Sequence, residues 1–246
     1  MITLKKIANE WDRNAILRCR QLHSGTDISH DRVLVPTILR LAGNLQRRYV
    51  LDVGCGCGCL SSAASARGGR VLAIDISAKM IAEAEKEFGS TANLQFKTLS
   101  VENLARSHKC RFDMCLANMS IITMPDLDRA LSSISTVLRP AGRLVFSIAH
   151  PCFWNLYRKD EPLGTFDYWS CHPVSAPFRI SLDQRPLPSR TTYLHRPITE
   201  YVRSLRDAGF GIESIVEPRA PRAAPSDYRK KFTLPRFMVL SVLKGR

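Results

Sequence analysis

Two carboxylates and three glycines are the residues best spaced to do chemistry. Asp52 stands two residues before Gly54, the turn continues Cys55-Gly56-Cys57-Gly58, and Asp75 follows, about twenty residues beyond the first glycine. Alternate glycines let a backbone turn sharply and approach a ligand closely, with no Cβ in the way. A carboxylate at that distance beyond such a turn is placed to accept hydrogen bonds from a ribose diol. The elements that must hold these groups flank them. Tyr49 to Val53 is a short apolar, β-branched run suited to a buried parallel strand. Leu60 to Arg67, rich in Ala and Ser, reads as a helix whose N-terminus faces the turn, and Arg70 to Ile74 is a second apolar run ending at Asp75.

The string VLDVGCGCG followed by VLAIDIS resembles the cofactor-binding segment of class I S-adenosylmethionine-dependent methyltransferases. A nicotinamide-dependent oxidoreductase, the competing reading, more usually carries G-x-G-x-x-G. The resemblance implies S-adenosyl-L-methionine as cofactor, held at the turn by Asp52, Gly54, Cys55, Gly56 and Gly58, and beyond the second strand by Asp75 and Ile76. It adds Met80, then Ser100, Val101 and Glu102, and finally Asn118 at the end of the fourth strand. Ser100-Val101-Glu102-Asn103-Leu104 stands where the family usually reads Asp-Ala-Glu-x-Leu, so Ser100 replaces the acid that commonly holds the adenine amino group and contacts from the Val101 backbone are expected instead. Leu138 to Phe153 (LRPAGRLVFSIAHPCF) and Tyr193-Leu-His195-Arg196-Pro197 resemble a bacterial subgroup of the type 11 methyltransferases.

The implied fold is α/β: a Rossmann-like, seven-stranded, mostly parallel sheet with the last strand antiparallel, helices on both faces, and a substrate-cap insertion after strand 5. The chain then divides into an N-terminal helical lid (1–45), a cofactor-binding core (46–150), the cap (151–192) and a C-terminal helix with closing strands (193–246), all in one domain. Leu4, Ile7, Trp11, Ala15 and Cys19 recur at helical spacing, so the N-terminal segment is an amphipathic helix, and the resemblance lays it over the cleft as a lid. Ser77 reads as an N-cap for a helix carrying Met80, Ile81 and Ala84. Pro151 to Thr192 lacks long periodic stretches and reads as a loop of a length usually reserved for function. Glu217 to Thr233 reads as a mobile loop.

Methyl transfer needs alignment in a dry pocket more than covalent help. Where the nucleophile must lose a proton, His150 at the tip of the fifth strand and His195 in the subgroup motif are the candidate bases. Trp11, Met119, Phe153, Trp154, Tyr168, Trp169 and Arg196 are the candidate substrate contacts, and the density of rings in the insertion favours a planar aromatic or heteroaromatic metabolite of the natural-product type. No metal is expected.

Composition bounds the alternatives. The 246 residues are 45% hydrophobic, with 36 Lys and Arg against 22 Asp and Glu, a formal charge of +14. The basic residues are spread over Lys5-Lys6, Arg47-Arg48, Arg219 to Arg222 and Arg229 to Lys231 rather than gathered in one footprint, which weighs against nucleic acid and leaves an RNA methyltransferase as the second enzyme reading. No apolar run is long enough to span a membrane, and no secretory leader is visible, so a cytoplasmic monomer or homodimer is expected. The eight cysteines show no C-x-x-C pair and are expected as reduced thiols.

Overall fold

The computed structural model describes residues 2–157, 166–180 and 187–245. Seven strands form one sheet: β1 (Tyr49–Val53), β2 (Arg70–Asp75), β3 (Leu94–Thr98), β4 (Phe112–Asn118), β5 (Leu138–Ala149), β8 (Phe210–Val216) and β9 (Phe237–Lys244). Their order is β3-β2-β1-β4-β5-β9-β8, and β9 runs antiparallel to both of its neighbours. The order reverses at β1, which pairs with both β2 and β4. A crevice opens at that reversal, beyond the carboxyl ends of the strands, and this is where such sheets bind ligands.

Strand residues of alternate parity feed two cores because successive side chains leave a strand on opposite faces. Val50, Leu116 and Val145 pack beneath α2 (Val35–Ala42), α3 (Cys59–Ala66) and α4 (Ala78–Phe88). Leu51, Cys115, Ala117 and Phe146 pack beneath α5 (Val101–Ser107), α6 (Leu127–Val137) and α8 (Ile198–Asp207). Ser77 accepts from the Met80 amide at 3.1 Å and caps α4, while Asp126 caps α6 by accepting from the Arg129 amide at 2.9 Å.

Three expectations are corrected. The insertion after β5 carries regular structure: α7 (Trp154–Tyr157), then β6 (His172–Ala176) paired antiparallel with β7 (Thr191–His195). β7 crosses the boundary drawn at residue 192, because Thr191 to His195 belongs to one ladder. The segment 217–233 is anchored rather than loose. It contains α9 (Ser226–Arg229), and the buried Tyr228 shares a 2.8 Å hydroxyl hydrogen bond with Ser29. The expected N-terminal helix is α1 (Leu4–His23), followed by a π-helical turn over Ser29–Leu34.

Candidate active site

The glycine turn is pinned to β2, since the amides of Gly54 and Cys55 both donate to the Ile74 carbonyl, at 2.8 and 3.0 Å. Gly54 has a φ of +71°, and a Cβ there would lie 2.3 Å from the Cβ of Ser120; only glycine fits. Gly56, with φ of +53°, has no heavy atom within 4 Å of where its Cβ would stand. Its backbone faces open space, as a cradle for a close-fitting ligand requires. The Gly56 amide donates to Asp75 Oδ2 at 2.9 Å and the Ser77 amide to Oδ1 at 2.8 Å. Asp75 is therefore aimed by both the turn and the start of α4. Burial pushes its pKa upward, against the lowering effect of those amides.

Asp52 lies beneath the turn, 1% exposed. Ser61 donates to its Oδ2 at 2.5 Å, and Oδ1 has no hydrogen-bond partner among the described residues. Burial pushes its carboxyl up to about 7, with the Ser61 hydrogen bond opposing and Asp75 adding to the rise. A cationic group bound over the turn stabilises the ionised form of such a buried carboxylate.

A cavity of about 700 Å³ runs from this turn toward the insertion. Asp52, Gly54, Cys55, Gly56, Asp75, Ile76, Met80, Ser100, Val101, Glu102, Asn118 and Met119 line it. Gly58 does not; it sits at the N-terminus of α3 with φ of +80°, where a Cβ would come 2.8 Å from the Phe96 ring. The Ser100 hydroxyl caps α5 by accepting from the Asn103 amide at 3.3 Å. At the tip of β4, Ser147 donates to Asn118 Oδ1 at 2.6 Å and accepts from the Met119 amide at 2.9 Å. Met119 has a φ of +56°, an outlying conformation for a bulky residue of the kind that collects at active sites.

α1 lies where the lid was expected, with Leu4, Ile7 and Trp11 lining the cavity. Asp12 accepts from the Ser77 hydroxyl at 2.6 Å and the Lys79 amide at 3.1 Å, tying α1 to α4. On the other side Glu10 accepts from Thr192, and Asn14 both donates to and accepts from the Ser189 backbone, at 3.1 and 2.8 Å. The Trp11 and Phe178 rings meet edge-on with centroids 6.1 Å apart. The lid also corrects the expectation of reduced thiols: Cys19 on α1 is disulfide-bonded to Cys57 in the glycine turn. Folding α1 back over the turn brings together two cysteines that are 38 residues apart in sequence, a pairing that short-range spacing does not reveal. The six remaining cysteines are free, and no cluster that could hold a metal occurs among the described residues.

Both predicted bases lie elsewhere. His150 is buried beneath its strand tip, with Nε2 2.9 Å from Glu217 Oε1 and Nδ1 accepting from the Cys152 amide at 3.3 Å. His195 lies in a separate, small pocket, with Nε2 2.9 Å from the Tyr168 carbonyl and its pKa lowered chiefly by burial. Neither lines the large cavity; both nitrogens of His150 and Nε2 of His195 already have partners within the protein. Arg196 is a brace: it donates to the carbonyls of Met124 at 2.6 Å and Pro125 at 3.3 Å, holding the loop before α6. Phe153 packs on His150 with centroids 4.7 Å apart. Tyr168 donates no cavity contact; its hydroxyl accepts from the Ile198 amide at 3.1 Å. Trp169 is 79% exposed and outside the lining. The side chain of Trp154 lies outside the described residues. The rings that do line the cavity are Trp11, Tyr157, Phe178, Tyr193 and Phe237. Sequence reasoning passed over His30, a lining residue whose Nδ1 lies 2.7 Å from Asp31 Oδ1. The adjacent His30-Asp31 pair was the available signal.

Comparison with known proteins places this geometry. Residues 50–142 match the methyltransferase domain family. Over 110 residues (45% of this chain) the sequence is 33% identical to a malonyl-[acyl-carrier protein] O-methyltransferase of Hamiltonella defensa, covering 41% of that protein. Over 108 residues (43% of this chain) it is 32% identical to a ubiquinone biosynthesis O-methyltransferase of Acinetobacter baylyi, covering 45% of that protein. The chain thus spans less than half the length of these curated relatives. Among solved structures, an S-adenosylmethionine-dependent methyltransferase from Mesorhizobium loti superposes with a TM-score of 0.65 at 21% identity, over 85% of this chain and 96% of that one. The 1,6-didemethyltoxoflavin-N1-methyltransferase of Burkholderia thailandensis, solved with 1,6-didemethyltoxoflavin and S-adenosylhomocysteine bound, superposes with a TM-score of 0.62 at 22% identity, over all of this chain and 92% of that one. The segment that carries the glycine turn is thus similar to the methyltransferase domain family, and the fold is the one shared by these S-adenosylmethionine-dependent methyltransferase structures.

Proposed function

We propose that the protein methylates nitrogen or oxygen of a small planar aromatic or heteroaromatic metabolite, using S-adenosylmethionine. The observation that carries this reading is one cavity joining Asp75 and the glycine turn to the rings of Trp11, Tyr157 and Phe178. When bound, the cofactor supplies an electrophilic methyl group on a sulfonium. The chain's own part is positional. Asp75 accepts from the ribose diol, the Gly54–Gly56 backbone wraps the ligand, and the rigid tip of β4 at Asn118 and Met119 separates cofactor from acceptor. The lid and the β6–β7 ribbon, joined through Glu10 and Thr192, exclude water, which strengthens each polar contact inside.

Proton removal passes to His30 in this reading. Asp31, accepting from Nδ1, holds the tautomer whose Nε2 lone pair is available to an acceptor's proton. The reading is tested with methyl-labelled S-adenosylmethionine against a panel of hydroxylated and amino heteroaromatics, with structured RNA in parallel. Label appearing in a small aromatic product supports it. Label entering RNA alone contradicts it and installs the RNA reading.

A further inference from the structure

The tip of β4 carries a side-chain amide whose orientation is fixed from behind. Asn118 lines the cavity, and its ladder partner on β5 is Ser147, fully buried between the equally buried Phe146 and Ile148. The Ser147 hydroxyl accepts from the Met119 amide at 2.9 Å and donates to Asn118 Oδ1 at 2.6 Å. Turning the carboxamide over would bring its N–H groups onto Ser147 Oγ and leave the buried hydroxyl proton with no acceptor among the described residues. A buried donor without a partner is costly, so the carboxamide oxygen stays on Ser147.

The amide nitrogen is then the end left for the cavity, and no hydrogen bond occupies it among the described residues. Its polar neighbours at the tip are engaged: Ser120 donates to the Val53 carbonyl at 2.6 Å, and Thr123 to the Ser120 carbonyl at 2.7 Å. Ser120 also sets the tip against the glycine turn, filling the space where a Gly54 Cβ would stand. Beyond the tip the lining continues through Ile122, Met124 and Ala149. Asn118 thus offers N–H donors, and no free acceptor, where the cofactor end of the cavity gives way to the rest.

A donor in that place discriminates between nucleophiles by their lone pairs. An amine or a ring nitrogen has a single lone pair, and an N–H directed at it ties up the electrons that must attack carbon. A hydroxyl or phenolate oxygen has more than one. One lone pair accepts from Asn118, which stabilises charge on oxygen as the proton leaves, and another attacks.

Resting on the proposed function, we infer that the acceptor atom is oxygen and that Asn118, held by Ser147, selects it. The oxygen–methyl bond forms as the methyl–sulfur bond breaks with its electron pair on sulfur, and the hydroxyl proton passes to His30. Asn118 is the specificity-determining residue and Ser147 a positioning residue behind it.

Matched hydroxyquinolines and aminoquinolines, competing in one vessel for methyl-labelled S-adenosylmethionine, test this. Wild type is expected to place at least roughly tenfold more label on oxygen than on nitrogen, the yield of one hydrogen bond to a charged group. Ser147→Ala frees the amide to turn, and Asn118→Asp replaces its donors with an acceptor; both are expected to shrink the ratio, the second more than the first. The ratio compares two products of one sample, so partial unfolding of a variant does not move it. Where a variant turns over too slowly, the same pairs titrated against its S-adenosylhomocysteine complex give the ratio as affinities. Label mainly on nitrogen, or an oxygen preference unchanged in both variants, overturns the inference alone. No label on any quinoline, from protein that binds S-adenosylhomocysteine in calorimetry, overturns the proposed function and the inference with it.

Discussion

Glu10 and Thr192 are both buried, and the Glu10 carboxylate accepts from the Thr192 amide at 2.8 Å and from its hydroxyl at 2.9 Å. The pair joins α1 to β7 across the cavity, as Asp12 and Ser77 join α1 to α4 on the cofactor side. The lid is therefore a clasp between the two halves of the site. Removing one partner leaves buried polar atoms without satisfaction, which costs about 1–3 kcal/mol. Glu10→Gln and Thr192→Val are each expected to lower thermal stability and speed release of S-adenosylhomocysteine. A double-mutant cycle checks it: a coupling energy near zero contradicts the clasp.

The Cys19–Cys57 bridge closes a loop between residues 38 apart. A loop of that length constrains the unfolded chain by about 4 kcal/mol in the entropic treatment. Reductant is expected to lower the melting temperature of the wild type and to leave Cys19→Ser unmoved. Thiol titration of the native protein distinguishes the states: six reactive or buried free thiols fit the bridge, and eight contradict it.

Asp52 gives a signed pH dependence. Its folded pKa stands at about 7 against an ordinary value of 3.8, so the folded chain binds the proton more tightly than the unfolded one. The stability this contributes is complete below the ordinary carboxylate range and is lost as pH rises through about 7. Without cofactor, wild type is expected to lose stability relative to Asp52→Asn between about pH 4 and 7.5. Parallel melting curves for the two proteins across that window contradict the assignment.

His150 contacts Glu217 and the Cys152 amide, and His195 the Tyr168 carbonyl, outside the cavity lining. Replacing either by alanine is expected to cost about 1–2 kcal/mol of stability, with S-adenosylhomocysteine affinity and turnover within about twofold of wild type. Abolished turnover in a variant of normal stability restores the base assignment.

Much of this fold is legible in the sequence, and the reasons are local. β1 and β2 are short, mostly apolar runs, Ser77 and Asp126 are caps next to apolar stripes, and Gly54 and Gly56 take the positive φ that a tight turn needs, with no room for a Cβ at Gly54. What is not legible depends on contacts between distant residues. Nothing near His150 foretells Glu217, and nothing near Cys19 foretells Cys57. Arg196 beside His195 reads as an anion contact until its Nη2 is seen to donate to the Met124 and Pro125 carbonyls, outside the cavity lining. The aromatic insertion is harder still: a strand as short as Thr191–His195 is hidden among prolines and rings, and which ring lines the cavity depends on contacts with distant elements, as between Phe178 and Trp11. Trp169 and Phe178 are equivalent as residue types and opposite in placement.

Cofactor recognition is the central claim, and calorimetric titration with S-adenosylhomocysteine tests it most directly. Wild type is expected to bind with one site per chain. Asp75→Ala, losing the proposed diol acceptor that the Gly56 and Ser77 amides hold in place, is expected to bind at least roughly tenfold more weakly, on the order of 1.4 kcal/mol or more. Folded wild-type protein that gives no heat with this ligand, or an Asp75→Ala variant that binds it as tightly as wild type, contradicts the account.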